Sequence, residues 1–268
     1  MGADTKKLRN RIKSVNSTLH LTKAMGLVAS SKIRRATDSM QKSREYYNSL
    51  NDVINSLLSS AECAKSPYMR ISDNDRVCMI VVAGDRGLAG GYNANIFKIS
   101  KAYSPKRVVT IGKRACDRYN MPLTSAEGFT YNNALEIAKS ICDDFILDKF
   151  DKVIIVCTKY LSIMSQEAQI KDILPLERKK LNNNKGTILF EPDEKTILNT
   201  LIYEYVASMI YSSVRESFAS EVAARRFAMD SAGKNAQEML DNLQLEYNRA
   251  RQGTITQEIT EIVAGSDA

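Results

Sequence analysis

The stretch LRNRIKSVNSTLHLTKAMGLVASSKIRRATDSMQKSREYYNSLNDVINSL, residues 8–57, carries fifteen positions at an unbroken 4-3 spacing. They are Leu8, Ile12, Val15, Leu19, Thr22, Gly26, Ala29, Ile33, Ala36, Met40, Ser43, Tyr47, Leu50, Ile54 and Leu57. All but Thr22, Gly26 and Ser43 are apolar, and no proline precedes Pro67. A strict 3.5-residue period held over this length predicts a helix packed along one seam, a coiled-coil stripe. At 1.5 Å per residue the run makes a rod of roughly 75–80 Å, several times the ordinary helix length. Such a rod in a chain of 268 residues points to a mechanical or spanning part and away from an enzyme pocket.

The period changes after Arg70. RVCMIVVA (76–83), RVVTI (107–111) and KVIIVCT (152–158) are short, β-branched and apolar, the pattern of buried strands. Helices are expected over 94–102, 113–119 and 132–147 between them, so the order predicts a small α/β layer with a parallel sheet. Ser165–Ile173 alternates and Thr187–Phe190 is short and apolar, which suggests further edge strands. Asn182 to Gly186 between them reads as a loop.

From about Lys195 to Ala264 the chain again lacks proline and repeats apolar residues, with Asp193 placed to cap the start. Its apolar positions include Leu198, Leu201, Ile202, Tyr205, Met209, Val214, Phe218, Phe227, Leu240, Leu243, Tyr247 and Ala250, and Gly233 and Gly253 mark places where it could bend. Neither rod can leave its stripe in water, so the two are expected to pair antiparallel. The fold class is therefore α/β with long helices: an antiparallel coiled coil of N- and C-terminal helices plus a small Rossmann-like domain. The boundaries fall at 1–60, 70–192 and 193–268. The third segment is the longer by roughly 20 Å, so its C-terminal turns should overhang. There Ile255, Ile259, Ile262 and Val263 form an apolar tip that calls for a socket in another protein.

Composition narrows the function classes. No run is long and apolar enough to span a bilayer, and MGADTKKLRNRIK lacks a signal-peptide core; MGADTK matches the myristoylation pattern only loosely. Cys63, Cys78, Cys116, Cys142 and Cys157 have no CxxC spacing and read as small buried hydrophobes in a reducing compartment. His20 is the single histidine, which excludes a histidine triad or multi-histidine metal site within one chain. The net charge is +7, and residues 1–44 alone hold eleven Lys or Arg against Asp4 and Asp38. An acidic partner is therefore expected to meet the first rod.

GDRGLAGGYN (84–93) follows a strand and opens a helix, where phosphate loops occur. It fits neither GxGxxG nor GxxxxGK[ST], and a tight structural turn is the favoured reading, with Asp85 and Arg86 placed to pair locally. Gly26 costs about 1 kcal/mol of helix propensity and is read as a soft rung in the ladder.

LTKAMGLVASSKIRRA (21–36), DRGLAGGYN (85–93), SFASEVAARRFAMDSA (217–232) and ARQGTITQEITEIVAG (250–265) resemble, in order and spacing, the gamma subunits of F-type ATP synthases. The resemblance covers nearly the whole chain. It implies a central-stalk rotor standing in a ring of alpha and beta subunits, with an α/β foot on the epsilon subunit and the membrane c-ring. It implies no catalytic residue, cofactor, metal, nucleic acid or small-molecule substrate. By the same resemblance Met25 faces the collar of the ring, and Lys23, Lys32, Arg34 and Arg35 face acidic loops of the beta subunits. Arg251, Gln252, Thr256, Glu258 and Glu261, with Ile255, Ile259 and Ile262, contact the upper ring. Gly26 stands where family members often carry a larger residue, and Ala89 where many have Cys. The region 177–186 lacks the cysteine-bearing insert of chloroplast forms. The expected location is the cytoplasmic side of a bacterial cell membrane, as a peripheral subunit. Two other classes compete: a coiled-coil nucleic-acid-binding protein using the basic rod, and a small α/β nucleotide-binding enzyme with helical arms.

Overall fold

The computed structural model describes residues 2–60, 62–63, 66–72, 76–177 and 190–266. The elements in order are α1 (Gly2–Leu58), a single 3-10 turn (Pro67–Met69), β1 (Val77–Val82), α2 (Tyr92–Ser100), β2 (Arg107–Ile111), α3 (Lys113–Tyr119), α4 (Tyr131–Ile146), β3 (Lys152–Tyr160), β4 (Gln166–Leu174) and α5 (Glu194–Ser266). The chain divides into two compact units, one of residues 31–224 and one of residues 1–30 with 225–268. The expected loop at 182–186, and 187–189 of the expected strand, lie outside the described residues.

In the larger unit the sheet runs β2-β1-β3-β4. β1 is parallel to both β2 and β3. β4 turns back antiparallel on β3, from Tyr160 opposite Gln166 to Val153 opposite Leu174. The expected alternation at 165–173 is thus a genuine edge strand, and the sheet is mixed. β1 is buried at every residue because both faces are covered, which is why it reads as a continuous apolar run. Cys78, Ile80, Val82, Val153, Ile155 and Cys157 face a core built with Ile54 and Leu57 of α1, Ile141 and Phe145 of α4, and Leu198, Ile202, Val206 and Ile210 of α5. Met79, Val81, Ile154 and Val156 pack on the other side with Tyr92 and Ile96 of α2 and Ala115 of α3. All five cysteines are free and buried, and burial pushes the thiols of Cys78 and Cys142 up to about 12. A thiol held protonated in apolar surroundings is inert packing material.

Several local signals are realised directly. Thr130 and Asn133 form a capping box at the start of α4. Asp193 accepts from the Thr196 N–H at 2.8 Å, satisfying one of the orphan donors at the start of α5. Below the sheet, the Arg76 guanidinium grips Asp151 with two bonds, of 2.7 and 2.8 Å, and holds its carboxyl down to about 2. A depressed carboxylate stabilises the fold above its unfolded value of about 3.9, and that contribution is lost as the pH falls from there through the folded value. In Asp151→Asn, urea midpoints are expected to fall less steeply than those of the wild type between pH 4 and pH 2. Parallel curves would show that the pair is not linked to folding.

In the smaller unit, α1 and α5 pair antiparallel: a Cβ at Gly26 would lie 3.7 Å from Met229 Cβ, and one at Gly233 would lie 3.6 Å from Thr22 Oγ1. Every rung of the α1 ladder is buried or half-buried along its whole length. α5 answers with its own 4-3 series, Met229, Gly233, Ala236, Leu240, Leu243, Tyr247, Ala250 and Thr254, none of them exposed. The helix passes through Gly233 and Gly253 without interruption. Phe227, expected among the apolar packing positions, is 48% exposed instead, one position off a productive rung.

The Gly26 site has room for a methyl group at ordinary contact distance. Gly26→Ala is therefore expected to stabilise the chain by about 0.5–1 kcal/mol, through helix propensity and a less mobile unfolded chain. A fall in thermal midpoint would mean that the close approach at this rung is required.

Candidate subunit interface

The residues with partner-facing expectations fall into three groups. On α1 of the smaller unit, Lys23 is exposed and Met25 half-buried. Beside them Leu21, Leu27 and Val28 are 58%, 72% and 54% exposed. Sequence reasoning passed over these three, and the signal was present: they are apolar but lie off the 4-3 ladder, so the seam cannot take them. Exposed apolar residues interleaved with Lys23 make a mixed surface suited to a protein partner.

At the end of α5 the seam stops at Thr254, and residues 255–265 are all exposed. Ile255, Ile259, Ile262 and Val263 are 45%, 56%, 71% and 54% accessible. Their spacing of i, i+4, i+7 and i+8 puts them on one stripe. Arg251, Gln252, Thr256, Glu258 and Glu261 are exposed around it. The Thr256 hydroxyl bonds back to the Gln252 carbonyl at 2.9 Å, and Gln257 reaches Glu261 at 2.8 Å. These local bonds along the helix leave the apolar stripe open, as the expected overhang requires.

In the larger unit, Arg34 and Arg35 are exposed on α1. Lys32 is different, because its ammonium lies 2.5 Å from Glu127 of the segment joining α3 and α4.

The glycine-rich loop is structural in its geometry. Gly84 allows the buried carboxyl of Glu221 to lie against the backbone, since a Cβ there would come within 2.7 Å of Glu221 Cδ. Asp85 is held chiefly by the segment that leads into α4. Its carboxylate accepts from the N–H groups of Lys113, Ala126 and Glu127 at 2.9–3.0 Å and from the Ser125 hydroxyl at 2.7 Å. Burial opposes its charge, yet these donors outweigh burial and hold the carboxyl below its usual range. Arg86 lies 3.8 Å from Glu127. Asp85 is thus committed to the backbone of 125–127 and Gly84 to the close approach of Glu221, which is the tight structural role the sequence suggested.

Helices paired along matched seams, and apolar surface left outside those seams, define a protein that works through contacts with other chains. A family model described as ATP synthase matches residues 4–268. An ATP synthase gamma chain from Ruminococcus albus is 39% identical, with 98% of each chain covered. The sodium-ion-specific ATP synthase gamma chain of Acetobacterium woodii is 35% identical, over 100% of this chain and 99% of its own. Among solved structures, a chain of the Euglena gracilis mitochondrial ATP synthase shares the fold at a TM-score of 0.69 and 16% identity, covering 100% of this chain and 95% of that one. A chain of the central stalk and c-ring assembly of the Tetrahymena thermophila enzyme does so at 0.62 and 18%, covering 79% and 99%. The chain belongs to the family of ATP synthase gamma chains. Among the described residues no helix is long and apolar enough to cross a membrane.

Proposed function

We propose that this chain is the rotating central-stalk subunit of an F-type ATP synthase, coupling transmembrane ion flow to ATP synthesis or hydrolysis without catalysing bond chemistry itself. In this reading the helices of 1–60 and 193–268 form the shaft within an alpha and beta ring, and 70–192 form the foot on epsilon and the c-ring. The observation that carries the reading is the apolar stripe from Ile255 to Val263, exposed in a chain whose family is that of gamma subunits. Apolar contacts are only weakly directional, so a tip of this kind can turn in a socket without being held at one angle. Met25 would face the collar of the ring, and Lys23, Lys32, Arg34 and Arg35 would meet acidic loops of the beta subunits. Arg251, Gln252, Thr256, Glu258 and Glu261, with Ile255, Ile259 and Ile262, would meet the upper ring. Charge-assisted contacts lower on the shaft suit dwell states that engage one beta subunit after another. The complex would sit peripherally on the cytoplasmic face of a bacterial membrane. Family membership favours this reading over a nucleic-acid-binding coiled coil.

Reconstitution tests the proposal. Alpha and beta subunits would be assembled with this chain, without it, and with residues 255–268 removed. Assembly or ATPase turnover is expected to depend on the full chain and to weaken with the truncation. Turnover indifferent to the chain would sink the rotor reading, and salt-sensitive DNA affinity of the free chain would favour the nucleic-acid alternative.

A further inference from the structure

The residues joining α3 to α4, 124–130, are gripped from three directions. Asp85 of the glycine-rich loop draws in Ser125, Ala126 and Glu127. From α1, Lys32 reaches the Glu127 carboxylate. From α5, Arg215 donates through Nη2 to the carbonyls of Ala126 at 2.6 Å and Phe129 at 3.0 Å, and through Nη1 to that of Glu127 at 3.5 Å. Its guanidinium also stacks 5.3 Å from the Tyr211 ring centroid and 5.8 Å from that of Phe218. One side chain thus takes three backbone carbonyls of a segment whose last residue, Thr130, caps α4.

The mechanical consequence follows from the kinds of contact involved. Most of what α5 presents to this unit is apolar, including Val206, Ala207, Ile210 and Val214. Apolar burial has no preferred direction of its own and resists sliding only through the shape of the interdigitated side chains. A rigid, planar fork bonded to three carbonyls and flanked by rings resists sliding well. The α5 residues next to Arg215 tie to other parts of the layer, Glu216 to Lys171 and the Tyr160 N–H of the β3–β4 hairpin and Ser217 to the Thr158 N–H and the Tyr92 hydroxyl. Arg215 is therefore the α5 side chain that takes the 124–130 carbonyls.

Resting on the rotor reading above, we infer that Arg215 is a positioning residue for coupling: it passes the turning of α5 to the α/β layer through the 124–130 segment. The glycine-rich loop then acts as the seat of this joint, with Asp85 holding the far side of the segment.

The test uses the complete ATP synthase, with this chain as its gamma subunit, in sealed vesicles, reading ions pumped per ATP hydrolysed against an imposed gradient. Arg215→Ala is expected to lower that ratio at least twofold while ATPase turnover without a gradient stays within twofold of the wild type. Arg215→Lys keeps the charge without the fork and should recover part of the loss. Leu198→Ala, about 25 Å along α5 at a fully buried position, is the structural control; it should lower the thermal midpoint and leave the ratio intact. Wild-type coupling in Arg215→Ala would overturn the inference, as would an equal loss in Leu198→Ala. Should Arg215→Ala not assemble, Arg215→Lys is read against Leu198→Ala by the same criterion. A complex in which even the wild-type chain supports no coupled pumping would count against the rotor reading itself.

Discussion

Gly112→Ala is expected to destabilise the full chain by at least about 4 kcal/mol, from a backbone conformation closed to L side chains together with direct overlap. Gly112 has φ 95°, and a Cβ added there would fall 1.9 Å from the Ala83 carbonyl oxygen. Neither neighbour has freedom to move. The Ala83 N–H donates to the Ile111 carbonyl at 2.9 Å, closing β1 onto β2, and the Gly112 N–H donates to the Thr124 carbonyl at 2.8 Å. The Gly112 carbonyl in turn receives the N–H groups of Ala115 and Cys116, opening α3. The overlap must therefore open a strand pair or undo the first turn of a helix. A fall in thermal midpoint of about 10 °C or more, read by circular dichroism, would agree with this. A variant melting within 2 °C of the wild type would show that the backbone can relax here.

The second large effect is expected at Glu216. Its carboxylate takes Arg44 at 2.8 Å on one oxygen and Lys171 at 3.1 Å on the other, and the Tyr160 N–H also reaches it at 3.3 Å. The acid thus joins α5 to α1 and to both strands of the β3–β4 hairpin. Burial alone would pull the Lys171 ammonium down, but Cys157 and Glu216 beside it hold it above its ordinary value. Glu216→Gln keeps the shape and leaves two cations facing each other without a counter-charge. Breaking a buried pair in this way costs about 3 kcal/mol, read as a lower urea midpoint at unchanged slope. Adding Lys171→Met removes the stranded charge and should recover at least half of the loss, a coupling that the double-mutant cycle measures directly. Strict additivity of the two changes would mean that the network contributes only through packing.

Much of this was legible in the chain. The 4-3 ladder located α1 and its buried face rung by rung, because a helix seam repeats with the helix itself. The strands of the sheet stood out for a related reason, since burial on both faces leaves apolar runs with no polar interruption. Helix starts at Thr130 and Asp193 are local chemistry, settled within three residues. The C-terminal overhang followed from comparing the lengths of the two rods.

The candidate interface was legible only in part. Lys23, Arg34 and Arg35 are exposed as the charge count suggested, but Lys32 meets Glu127 of its own chain. Leu21, Leu27 and Val28 emerged as surface only once the seam had taken the residues around them. The tie between Asp85 and the residues 125–127 joins positions about forty apart, and that of Glu216 to Arg44 spans 172. No periodicity reports such a pairing. By itself, then, the sequence determined most of the elements, the α1 seam and the family resemblance, because those depend on local period, local capping and blocks of residues in fixed order. Only the tertiary structure decided which charges are turned inward and where the α/β layer is gripped. Those outcomes depend on which distant residues the fold brings within hydrogen-bonding distance, and on what burial then costs an unpaired charge.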